Sequence, residues 1–289
     1  MTSRITKWGK ASPWYVKLPA KVTLTYLPGG RPLARKLGVF NWGPMLTANY
    51  AIEGFDTHRG RALDPARREG FTCLEVGPGE SVSSAVVACA RGAGKTLLVD
   101  VAPFASMDLA DYQPIIGALS PPLDLSEVSS VPELLSRCHA EYLTSGVASL
   151  RALPAESVDF IWSRHVLEHV RKSEMDDLLV ELRRVLKPDG AASHTIDLED
   201  HFEHSLNNLR FSDRVWEAEW LAKAGFYTNR LGYQELLRRF ENAGFAVDVV
   251  GVEKWDSLPV PRDRMAPQFR GLPVDDLLVS GFDVVLRPV

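Results

Sequence analysis

The stretch Thr72-Cys73-Leu74-Glu75-Val76-Gly77-Pro78-Gly79-Glu80-Ser81-Val82 decides how this chain folds. Residues 72–76 form a strand-like apolar run that stops at two glycines, and residues 83–91 continue with helical composition. A turn at Gly77 and Gly79 brings main chain close to a ligand, which glycine alone allows without steric cost. The helix beyond it turns its free N–H groups toward the same point. Strand, glycine turn and helix in that order form the ligand-binding corner of a doubly wound α/β sheet.

The remaining pattern extends this corner in both directions. Further strands are expected at 96–101, 158–162, 191–196, 245–252 and 282–286, with helices at 132–142, 174–186 and 233–243. Residues 103–130 read as loops, and Lys187-Pro188-Asp189-Gly190 punctuates the end of a helix. Strands separated by helices imply a mostly parallel sheet covered on both faces. The last two strands have no crossover-length helix between them, so an antiparallel C-terminal pair is expected.

Composition excludes several classes. The 289 residues carry a net charge of -4, which gives no case for a nucleic-acid partner. No stretch approaches the roughly 18 apolar residues needed to cross a bilayer, and the start does not read as a signal peptide. Cys73, Cys89 and Cys138 have neither metal-type nor redox-type spacing, as expected of a cytoplasmic protein. Residues 1–50 nonetheless hold eight basic side chains and no acidic one. Residues 1–60 are therefore read as a basic arm packed over a domain spanning 61–289. Peripheral contact with an anionic membrane surface is the arm's second reading.

Two residues discriminate between nucleotide ligands. A dinucleotide fingerprint requires a third glycine at position 82, where Val82 stands. Asp100 ends the second strand, where a carboxylate accepts hydrogen bonds from ribose hydroxyls. Together with Glu75–Ser81, the segments Leu153–Phe160, Val166-Leu167-Glu168-His169-Val170 and Leu186–Gly190 resemble the ordered motifs of class I S-adenosylmethionine-dependent methyltransferases. The resemblance implies a Rossmann-like doubly wound sheet of seven strands, mostly parallel with an antiparallel C-terminal strand, and S-adenosyl-L-methionine as cofactor. It implies that Glu75, Gly77, Pro78, Gly79 and Ser81 lie near the methionine part. Asp100, with Val101, would meet the ribose, and Ser149 and Leu150 the adenine. Arg164 is grouped with these cofactor contacts. Many members carry an acidic residue where Ser149 stands.

The acceptor end is marked by histidines. His165, Glu168 and His169 share one face of a helical turn, and His194, Asp197 and His201 follow the next strand. Three readings stand side by side: packing, a general base for which His194 or His201 is preferred, and a metal site. For the last, His165-x-x-Glu168-His169 resembles the Glu-x-x-Glu-His of ubiquinone-pathway O-methyltransferases and small-RNA 2′-O-methyltransferases. No metal is assigned on that ground.

Residues 199–230 form an insertion. Its segments 197–201, 206–211 and 226–231 resemble bacterial methyltransferases of surface polysaccharide or glycolipid assembly. Asp197, Asn229 and Arg230 are expected as acceptor or lid contacts, and Trp216, Trp220 or Tyr227 as stacking platforms for a sugar. The expected reaction is methyl transfer to a hydroxyl of a sugar or glycolipid. A phenolic or quinone-like acceptor with a metal-assisted site, and a non-catalytic cofactor-binding descendant, are the alternatives.

Overall fold

A computed structural model describes residues 13–27, 45–120, 122–125, 127–223 and 225–289. Helices α1 (Trp14–Tyr26) and α2 (Ala48–Ala62) precede the first strand, β1 (Phe71–Val76). The chain continues through α3 (Ser83–Ala90), β2 (Ala93–Val99), α4 (Gln113–Ala118), α5 (Val131–Arg137), β3 (Ala140–Leu143), α6 (Val147–Arg151) and β4 (Val158–Arg164). Next come α7 (Lys172–Val185), β5 (Leu186–Asp197), two short helices α8 (Asp213–Trp216) and α9 (Glu219–Ala222), α10 (Tyr233–Asn242) and β6 (Phe245–Lys254). Short helices α11 (Pro267–Arg270) and α12 (Val274–Leu277) lead into β7 (Val279–Pro288).

The seven strands form one sheet in the order β3-β2-β1-β4-β5-β7-β6. All neighbours are parallel except β7, which runs antiparallel between β5 and β6. This is the Rossmann-like, mostly parallel seven-stranded sheet that the resemblance implied. Strand order reverses beside β1, between β1 and β4, so the carboxyl ends of these strands open a crevice there.

The central strands are apolar on both faces because helices cover both. Under one face, α7 presents Met175, Leu178, Leu179, Leu182 and Val185, a helical stripe buried against the sheet. On the other, α2 buries Ala51, Gly54, Phe55 and His58. Phe55 meets Phe160 and Trp162 of β4 edge to face. The boundary expected at residue 60 therefore runs through a helix belonging to the main body.

Three elements differ from expectation. The helix expected at 132–142 ends at Arg137, His139 takes a left-handed φ of 50°, and residues 140–143 become edge strand β3. So short a strand has too few residues to show alternation against the helical spacing before it. The stretch 103–130 contains α4 as well as loops. The punctuation at 187–190 lies inside β5, where the pairing jumps from Val158↔Leu186 to Phe160↔Ala191. A Cβ on Gly190 would come within 2.7 Å of the Asp159 carbonyl oxygen, so the irregularity needs glycine.

The insertion has its own small core of Phe202, Trp216, Leu221, Phe226 and Tyr227. Helix α1 docks on that core through Trp14, Leu18 and Val22. Glu203 accepts the Trp14 N–H at 2.8 Å, and Lys17 Nζ donates to the Phe202 carbonyl at 3.0 Å. Of the arm's eight basic residues, Arg4, Lys7, Lys10, Arg31, Arg35 and Lys36 lie outside the described residues, as does the side chain of Lys21. No helix among the described residues is long and apolar enough to cross a membrane.

Candidate active site

The glycine turn leaves β1 with left-handed φ values of 69° at Gly77 and 66° at Gly79. A Cβ at Gly77 would lie 2.5 Å from Val166 Cγ1, so the turn is closed to any side chain. Asp100 caps it: Oδ2 accepts from the Gly79 N–H at 3.0 Å and Oδ1 from the Val101 N–H at 2.7 Å. The carboxylate thus holds the turn, and each oxygen retains a lone pair for a ribose hydroxyl.

Glu75, Gly77, Pro78, Ser81 and Arg164 line one cleft, as grouped from sequence, together with Met45, Tyr50, Gly54 and Trp162. Glu75 is buried, takes a hydrogen bond from the Ser84 hydroxyl and lies near Asp100. Burial lifts its carboxyl to about 8. Across the cleft the Arg164 guanidinium stacks on the Tyr50 ring at 4.3 Å. One wall therefore offers a carboxyl and the other a fixed cation. Met45, Tyr50 and Gly54 were not anticipated. Their signal was the helical spacing Ala51–Phe55–His58, hidden by assigning residues up to 60 to an arm.

At the adenine end the expectation needs correction. Leu150 is fully buried in the core, and its carbonyl is taken by Arg184 at 2.7 Å. Ser149 Oγ accepts the Ser145 N–H at 3.0 Å, closing the turn before α6. The exposed apolar surface here is Val101, 69% accessible, whose side chain borders Gly146.

The histidines separate into three environments. His194 lies in the interior at 0% exposure, its Nδ1 2.7 Å from the Ser163 hydroxyl and its Nε2 without a partner. Burial pushes it down to about 3, so it is a neutral core residue out of reach of an acceptor. The preference for it as base is thereby overturned. His169 and His201 stack, with their Nε2 atoms 3.1 Å apart. His169 Nδ1 must donate to the Tyr227 carbonyl at 2.7 Å, so its Nε2 accepts from His201. This pair ties the insertion to the turn after β4.

His165 lines a cavity. It has φ 55°, and its N–H donates to the Thr195 carbonyl at 2.9 Å. The cavity, about 350 Å³, is lined by His165, Thr195, Asp197, Glu199, Glu253 and Asp283 among others. Desolvation of the ring against the surrounding protein, with the Arg164 charge, lowers His165 to about 4 although 43% of its side chain is exposed, and burial raises Asp197 to about 6. Glu168 is buried beside them, both oxygens unpartnered, and burial raises it well above the usual carboxylate range.

Asn229 and Arg230 are structural. Asn229 Nδ2 donates to the Leu167 and Val170 carbonyls at 2.8 and 3.0 Å, and its Oδ1 accepts the Leu231 N–H. The Arg230 side chain is wholly buried between the Trp216 and Phe269 rings. It pairs with Asp213 and donates to the Phe211 carbonyl at 2.6 Å. Trp216 and Tyr227 are likewise interior, and only Trp220 of the three expected platforms is exposed.

A sequence profile of the methyltransferase domain matches residues 122–193, from before β3 into β5. No curated protein sequence matches the chain. Among solved structures, a 1,6-didemethyltoxoflavin N1-methyltransferase from Burkholderia thailandensis is 14% identical over 96% of this chain and 91% of its own, with a TM-score of 0.48. A mitomycin 7-O-methyltransferase is 15% identical over 99% of this chain and 71% of its own, with a TM-score of 0.49. An S-adenosylmethionine-dependent methyltransferase from Methanosarcina mazei is 14% identical over 78% and 98%, with a TM-score of 0.48.

Proposed function

We propose that the chain transfers a methyl group from S-adenosyl-L-methionine to a hydroxyl of a polyhydroxylated small molecule, a sugar or glycolipid headgroup. The observation behind the cofactor is the pairing of Glu75 and Arg164 across one cleft beside the Gly77–Gly79 turn. An α-amino acid carries an ammonium and a carboxylate, and these two side chains offer the complement of each. Asp100, one strand over, would hold the ribose, and Val101 the face of the adenine.

The acceptor would enter by the cavity beyond β4, where Asp197, Glu199 and Glu253 offer carboxylate oxygens to hydroxyl donors. In the reaction an acceptor oxygen attacks the sulfonium methyl in line. The C–O bond forms as the C–S bond breaks, sulfur keeps the electron pair, and the hydroxyl proton passes to a base in the cavity. His165, which lines the cavity and follows Arg164 of the cleft in sequence, replaces His194 as the histidine proposed for this chemistry.

Calorimetry with S-adenosylhomocysteine, followed by incubation with isotope-labelled cofactor and a panel of glycans, phenols and amines, tests both halves. Saturable binding that Arg164→Met weakens, with label entering a glycan ether, is the expected result. Absence of binding would remove the cofactor reading. Label entering only an amine or a phenol would remove the acceptor reading.

A further inference from the structure

We propose that His165, Glu168 and Asp197 bind a divalent transition-metal ion at the carboxyl ends of β4 and β5, on the wall of the acceptor cavity. One ligand atom from each of the three lies within 4.8 Å of the others. Around an ion held at about 2.1 Å, neighbouring ligand atoms sit about 3 Å apart and opposite ones about 4.2 Å. Small side-chain rotations would draw the three ligand atoms, now within 4.8 Å of one another, onto one ion.

The decisive observation is Glu168. The residue is 1% exposed, and neither carboxyl oxygen has a hydrogen bond of normal geometry; the Glu168 and Asp197 main-chain N–H groups lie nearby but make only distorted contacts. A buried polar group in that condition is destabilising unless something completes it. His165 Nδ1 stands 3.9 Å from Oε1, and an Asp197 carboxylate oxygen lies within 4.8 Å of the pair. The first separation is too long for a hydrogen bond and suits two ligands of one ion. A cation here would satisfy the carboxylate, the imidazole and Asp197 together.

The backbone holds the three ligands in fixed relation. Arg164 pairs with Thr195, and the His165 N–H continues the ladder onto the Thr195 carbonyl. Asp197 is paired with Gly281 of β7, and the Leu198 N–H is bound to the Ser280 carbonyl. The Glu168 carbonyl accepts the Asn229 N–H at 2.7 Å, which fixes the third ligand's turn.

The set differs from the sequence spacing His165-x-x-Glu168-His169. Both ring nitrogens of His169 are engaged, by the Tyr227 carbonyl and by His201. Asp197, from the neighbouring strand, takes its place. One imidazole and two carboxylates suit manganese, iron or zinc in the divalent state. His165 and Asp197 also line the cavity, so coordination positions face the space where an acceptor would stand. An acceptor hydroxyl bound there would be acidified as metal-bound water is.

The inference concerns the acceptor side and stands apart from the cofactor assignment. The test uses the full chain, stripped with a chelator and titrated with Mn²⁺ and Zn²⁺ by calorimetry. Electron paramagnetic resonance of bound Mn²⁺ reads out nitrogen coupling. One ion per chain is expected, with a histidine nitrogen coupling that disappears in His165→Ala. Glu168→Gln and Asp197→Asn should each weaken binding by about a hundredfold, since even outer-shell partners can account for that much. Glu253→Gln, which alters the cavity outside the triad, should leave it unchanged.

Circular dichroism checks that each variant is folded. If Glu168→Gln is not, the half-buried Asp197 and exposed His165 variants decide. No saturable binding of either ion, or binding that all three triad variants retain, overturns the proposal. S-adenosylhomocysteine binding measured on the same samples separates this failure from a failure of the cofactor reading.

Discussion

Gly77 shows how little freedom single residues have at this rim. A methyl group there would strike Val166 at 2.5 Å, on a backbone already left-handed. Gly77→Ala should weaken S-adenosylhomocysteine binding by at least about tenfold, the equivalent of 1.4 kcal/mol, as read by calorimetry. Glu75 makes the opposite kind of prediction, one of pH. Its carboxyl is held near 8 by burial, so below that pH it is largely neutral and lacks the charge that attracts an ammonium. Affinity for the cofactor should rise from pH 6 to pH 8 and then level, and Glu75→Gln should abolish the rise. Of these residues, the glycines and Glu75 were readable because turn chemistry is local. Arg164 lines the same cleft, where Tyr50 of α2 and Met45 just before that helix arrive only through tertiary packing.

Elements explain where histidine chemistry was misjudged. Along β5, side chains alternate between faces, and Ser193 and His194 both lie inside. Ser193 Oγ meets His58 Nδ1 of α2 at 2.8 Å, and His194 meets Ser163 of β4. A histidine in a strand-like run has the same letters whether it ends at the rim or three residues short of it. Register decides, and register is set by β4 and β7. Burial holds both His58 and His194 at about 3, below their ordinary value. Groups depressed in the folded state contribute stability above the unfolded value, and that stability is lost as pH falls toward the folded one. The buried carboxyls Glu75, Glu168 and Asp197, raised in the folded state, act in the opposite sense, so the expected outcome is a difference: between about pH 6.5 and 4 the melting temperature of the unaltered chain should fall relative to that of His58→Gln. The insertion supplies a second case. Arg230 resembled an acceptor contact because guanidinium groups recognise polar ligands, yet its partners are Asp213 and the Phe211 carbonyl. Arg230→Met should increase hydrogen exchange through residues 207–231, while cofactor affinity stays within about twofold, as for a distant independent site.

At the scale of the whole molecule, β4 divides the carboxyl rim in two. One side holds the cleft with Glu75 and Arg164, the other the cavity with His165 and Asp197. A mostly parallel sheet was legible from strand-helix alternation, and its antiparallel end from the missing crossover before β7; the strand order that creates the division was not. Nor was edge strand β3, because four residues carry too weak a period. The docking of α1 was not legible either, since nothing in its own sequence specifies the insertion as its partner. It nonetheless has a mechanical consequence. Helix α1 grips the insertion through Trp14 and Lys17, and the insertion grips the turn carrying Glu168 through Asn229 and His169. The first described residues and the deepest carboxyl of the site are thus links of one linkage. A pull on helix α1 would therefore be felt through the insertion at the Glu168 turn.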